Sequence, residues 1–125
     1  MGDDAGVVPI ERVHAIAARL PEVEETPHHG MRSFRVHGKI VATIPDERHL
    51  RVMVGESEIL AAVEADPRSC APFFWGKRLA CVVITLRTAE EQMVRELLLD
   101  AWSRKAPARL VEQFDADAWL LSGSV

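Results

Sequence analysis

The chain has 125 residues, 48% of them apolar and 27% charged, which is enough for one domain with an ordinary core. No apolar run reaches the roughly 18 residues of a membrane span. The acidic start Met1-Gly2-Asp3-Asp4-Ala5-Gly6 lacks the layout of a signal peptide, so a cytoplasmic protein is expected. A net charge of −4 argues against nucleic-acid binding by the whole surface.

Pro9 suits the first position of a helix, and Ile10, Val13, Ile16, Ala17 and Leu20 recur at helical spacing until Pro21 stops it. The acidic run Glu22-Val23-Glu24-Glu25 is expected to lead into a loop ending at Gly30. Phe34 and Val36 alternate with Arg35 and His37, the pattern of a half-buried strand. His37-Gly38-Lys39 reads as a tight turn and Ile40 to Ile44 as the return strand. After the turn residues Pro45-Asp46-Glu47, Leu50, Val52 and Val54 alternate with Arg51 and Met53 in a third strand. Short connections make these strands an antiparallel meander.

Gly55-Glu56-Ser57 opens a second helix with Ser57 as cap and Ile59, Leu60 and Val63 as apolar positions, and Asp66-Pro67 ends it. Phe73-Phe74-Trp75-Gly76-Lys77-Arg78 mixes aromatics, a glycine and two cations. Leu79 to Leu86 reads as a central strand. Thr88 and Glu91 form a capping-box pattern before a helix carrying Val94, Leu97, Leu98, Ala101 and Trp102. Ala106-Pro107 breaks that helix, a short one runs from Ala108 to Gln113, and Ser122-Gly123-Ser124-Val125 is expected to fray. The order predicts a single α+β domain over 1–125, with an ordered core of about 8–115. Its antiparallel sheet has about five strands, with helices packed on one face.

Charge alternates along the chain. Residues 1–27 sum to −4, residues 28–51 to +3 with four histidines besides, residues 55–75 to −3, and residues 76–87 hold Lys77, Arg78 and Arg87 with no acid. With Phe34 and Val36 turned toward the helices, Arg35, His37 and Arg51 share the open face of the sheet. Lys39 lies at the turn beside them, and Arg32 is on the same strand. Such a patch could hold phosphates; the alternative is charge serving only solubility and edge protection. Trp75 to Arg78 could stack a base and pair phosphate, or Trp75 could anchor a turn in the core.

His28 and His29 are adjacent, so an extended backbone points them to opposite sides and they do not suit a shared metal. Glu22, Glu24 and Glu25 read as a solvated acidic loop. Cys70 and Cys81 read as core residues, too few for a paired zinc site. Ser33, Ser57, Ser69 and Cys81 lack any signature of a nucleophile. No catalysis, cofactor or metal is expected.

Leu20-Pro21-Glu22-Val23-Glu24-Glu25-Thr26-Pro27-His28-His29-Gly30 and Ser33-Phe34-Arg35-Val36-His37-Gly38-Lys39-Ile40-Val41-Ala42 resemble the front of the MmcQ/YjbR family. Ala65-Asp66-Pro67, Trp75-Gly76-Lys77-Arg78, Ala101-Trp102 and Ala106-Pro107 match its later landmarks, so the likeness spans 9 to about 113. One departure is Leu79-Ala80-Cys81, where the family often has a glycine-aromatic pair. The resemblance implies an α+β fold similar to the CyaY-like arrangement of bacterial frataxin, described as a double-wing DNA-binding module. Its matching cationic positions are Arg35, Lys39, Lys77 and Arg78; Arg32, His37 and Arg51 come from the strand reading.

The expected function is therefore DNA binding through phosphate contacts, by a monomer or weak dimer that does not engage membranes. The alternative is a non-catalytic domain that binds a protein or a small anion. Frataxin-like metal binding is disfavoured, because the first helix exposes only Glu11 as an acid.

Overall fold

Period-two alternation resolves into four consecutive strands in a computed structural model that describes residues 8–121. These are β1 (Val23–His28), β2 (Met31–Val36), β3 (Lys39–Asp46) and β4 (His49–Val52). A second hairpin, β5 (Cys70–Trp75) and β6 (Arg78–Thr85), lays β6 beside β4. The result is one antiparallel sheet of order β1-β2-β3-β4-β6-β5. Helix α1 (Ile10–Ala18) precedes the sheet, α2 (Glu56–Ala65) joins the two hairpin systems, and α3 (Glu91–Lys105), α4 (Ala108–Gln113) and α5 (Ala116–Leu121) follow.

The sheet has six strands because β1 forms where the sequence suggested an acidic loop. Val23 pairs with Val36 and Glu25 with Phe34. An edge strand tolerates such acids, since one of its sides faces water. The His29-Gly30 and His37-Gly38 turns both have two residues at positive φ, the backbone that matches strand twist in a two-residue hairpin. Each edge strand also contains a proline, Pro27 in β1 and Pro72 in β5. The chain beyond residue 115 continues into α5. The expectations for Ser122 to Val125 and for the acidic start lie outside the described residues.

Three local expectations are corrected. Pro9 sits at the N-cap of α1, one residue earlier than expected. Gly55, not Ser57, caps α2, which buries Ile59 and Ala62 while Leu60 faces solvent. The capping box does not close: Glu90 occupies the cap position of α3, and the Thr88 hydroxyl lies 2.7 Å from that of Ser69.

The core is the expected one. Val13, Ile16 and Ala17 of α1 and Val94, Leu98, Ala101 and Trp102 of α3 pack against the sheet face built by Phe34, Val36, Ala42, Leu50, Val52, Val82 and Ile84. Trp102 is fully buried, and its indole N–H donates to the Pro21 carbonyl at 3.0 Å. Both cysteines are buried free thiols. Burial, with Asp66 adding to it, pushes the Cys70 thiol up to about 11. Burial also raises Cys81, partly countered by Arg51.

Candidate functional site

Strand register sets one row across the whole sheet: Thr26, Ser33, Thr43, Arg51, Val83 and Ala71 are successive partners. Their chain neighbours Phe34, Ala42, Leu50, Val52, Val82 and Ile84 belong to the core. Alternation therefore turns the row to the face without helices. Strand twist lifts opposite corners of such a face. One corner carries His28 and His29, the other Trp75 and Arg78, and all four line a basin of about 350 Å³ between them.

Arg51 and Thr43 are in the lining of this basin. The Arg51 guanidinium carbon lies 4.5 Å from the centre of the Phe73 ring, a cation–π contact. Its Nε, like the Oγ1 of Thr43, is buried and has no hydrogen-bond partner among the described residues. Phe73 and Trp75 alternate to the same face, their rings 6.5 Å apart, and Trp75 is 72% exposed. The anchoring of Trp75 in the core is thus corrected: the turn leaves it in water.

The expected patch of Arg35, His37 and Arg51 does not form as one surface. Arg35 is on the open face, where it donates to Ser33 Oγ at 3.3 Å and to His28 Nδ1 at 3.0 Å. Burial, then the charges of His29 and Arg35, lowers the pKa of that His28. His37 leaves strand geometry, because alternation stops where φ turns positive, and its Nε2 lies 2.6 Å from Glu22 Oε1. Arg32 has the parity of Phe34 and so turns to the helix side. There it donates to His14 Nε2, while His14 Nδ1 lies 3.0 Å from Glu25.

Lys39, Lys77 and Arg78 are all exposed and stand at one end of the sheet, Lys39 on the side of its core partner Val36 and Arg78 on the side of its partner Trp75. The antiparallel register brings the His37-Gly38 and Gly76-Lys77 turns to the same end. The C-terminus of α3 arrives there too. Burial, then the positive charges of Arg104, Lys39 and Arg78, holds the Lys105 ammonium below the usual lysine value. Among the described residues, Lys39, Lys77, Arg78 and Lys105 form no ion pair. Sequence reasoning missed Arg104 and Lys105, although both stand in the last turn of a well-marked helix.

Other hollows offer less to an anion. The cavity of about 500 Å³ at the opposite end is lined by Asp66, Glu90 and Glu96 as well as Arg68. Among the described residues no three His, Cys, Asp or Glu side chains converge as metal ligands, and no helix is long and apolar enough to cross a membrane.

The YjbR family model matches residues 18–104. A crystal structure of the Deinococcus radiodurans protein DR2400, a DUF419 domain, is similar over 79% of each chain, with a TM-score of 0.65 and 21% identity. At that identity the likeness speaks for the fold alone. No curated protein matches the chain.

Proposed function

The chain belongs to the YjbR family, and from there we propose that it is a non-catalytic nucleic-acid-binding module of the cytoplasm. It holds phosphates at the end of the sheet where two hairpin turns and the C-terminus of α3 meet. One observation carries this reading: Lys39 of β3, Lys105 of α3 and the adjacent Lys77 and Arg78 at the start of β6 lie at one end of the sheet, and among the described residues none of them is in an ion pair.

Like charges placed together repel, so a cluster of this kind is stabilised by an anion that bridges them. A polyphosphate chain supplies anions at regular spacing and is recognised through its charge. The nearest acids, Glu22 and Glu24, border the His37-Gly38 turn, and Glu22 lies 2.6 Å from His37 Nε2, so its charge is met by that imidazole rather than by the lysines. Overall acidity and a local phosphate site are therefore compatible.

Anisotropy of a labelled DNA at increasing salt tests the proposal. About four phosphate contacts predict a slope near −3.5 in log affinity against log salt, which is about a hundredfold loss from 50 to 200 mM. The Lys39→Ala/Lys77→Ala/Arg78→Ala/Lys105→Ala variant is expected to bind at least tenfold more weakly with a flatter slope. A parent that binds no DNA at low salt, or a folded variant that binds as well as the parent, would overturn it.

A further inference from the structure

The basin on the open face has the make-up of a stacking site. We infer that it takes one unstacked base of a single-stranded nucleic acid, with the neighbouring phosphate on Arg78. The inference rests on the phosphate-binding reading above and adds the form of nucleic acid held.

Three observations converge. Trp75 is 72% exposed at the rim, with Phe73 beside it on the same face. A large aromatic ring left in water is a platform for another flat ring, and any base offers such a face. Arg51 stands over the Phe73 ring at 4.5 Å, and its Nε and the Oγ1 of Thr43 are buried with no hydrogen-bond partner among the described residues. Such groups suit a base edge carrying acceptors, the pairing arginine makes with guanine. Among the described residues no Asp or Glu lines the basin, and its rim residue Arg78 belongs to the cationic end. Base and phosphate subsites therefore share a border.

Size and geometry choose between nucleic-acid forms. About 350 Å³ is at the small end of ligand sites and suits a single ring system. A base inside a duplex is covered on both faces by its neighbours and shows only its edges. An unpaired strand can splay a base out onto an aromatic side chain.

A short oligothymidylate, the same strand with abasic sites, and a duplex of equal length separate the possibilities. Of the three tryptophans Trp102 and Trp119 are buried, so quenching of the emission reports on Trp75. The single strand is expected to quench that emission and to bind about tenfold or more tightly than either the duplex or the abasic strand. Trp75→Ala, at an exposed position that leaves the core intact, should remove most of that advantage and leave duplex affinity within about twofold. Arg51→Met, which removes the buried donor while keeping an apolar stem, should do the same.

Equal binding of the abasic strand, unchanged emission, or a Trp75→Ala protein with undiminished preference would overturn the inference. If binding is then still lost in the quadruple cationic variant, the phosphate reading stands without it. If neither strand nor duplex binds, both fail.

Discussion

Arg12 and Glu91 face each other as a two-pronged pair. The Arg12 Nε donates to Oε1 at 2.9 Å and the Nη2 to Oε2 at 2.8 Å. The same carboxylate accepts from Arg95 Nε at 3.1 Å, and Arg95 is 1% exposed. One acid from the first turn of α3 thereby ties α1 to α3 and is the counter-charge of a buried guanidinium, whose other side rests on Trp119.

Glu91→Gln should therefore cost much more than an ordinary surface change. The change weakens three charge-assisted hydrogen bonds of a part-buried cluster, at about 2 kcal/mol. For a domain of this size the melting temperature should drop by roughly 10 °C. Thermal unfolding followed by circular dichroism measures it, and a drop of only a degree or two would contradict the pairing.

The same carboxylate predicts a pH dependence. Burial pushes Glu91 up, but the hydrogen bonds and charges of Arg12 and Arg95 outweigh it and hold the group below its usual value of 4.5. A depressed carboxylate stabilises the fold above 4.5, and that contribution is lost as pH falls through the lower folded value. Urea unfolding of parent and Glu91→Gln at a series of pH values should show their difference shrinking on acidification. A constant difference would count against it.

Both thiols should be inert in the folded protein. Cys70 is pushed up to about 11 and Cys81 is raised, and each is almost fully buried. Thiolate is the reactive form, so a disulfide reagent such as DTNB at pH 8 should label neither residue until denaturant is added. Rapid labelling of either in the native state would show an opening of β5 or β6.

Trp102→Phe should destabilise by about 1–3 kcal/mol, because it leaves the Pro21 carbonyl without its indole donor as well as shrinking a full core site. The Pro21 junction between α1 and β1 should then exchange amide hydrogens faster than the middle of β3. Hydrogen exchange resolved by segment checks this.

Sequence periodicity located the core and most elements, most clearly in β4, where buried and half-buried residues alternate strictly. It failed where polar residues hide the pattern. In β1 the apolar signal is reduced to Val23, and pairing with β2 supplies what side-chain burial does not. The candidate site was legible in part. Arg51 was correctly turned outward by alternation, but His37 was misplaced for lack of the positive φ at the turn, and nothing local showed that Arg32 meets His14 of α1. The basin depends on twist, and the cationic end depends on α3 reaching the two turns. Neither is written in any local stretch of chain.

Pro27 and Pro72 have a consequence for crowding. Each proline removes a backbone N–H from one of the two outermost strands, so neither border of the sheet offers an unbroken template to another chain. In a crowded solution copies of the domain meet one another often. Here such neighbours can touch face to face or end to end, but they cannot zip their sheets into a continuous fibre.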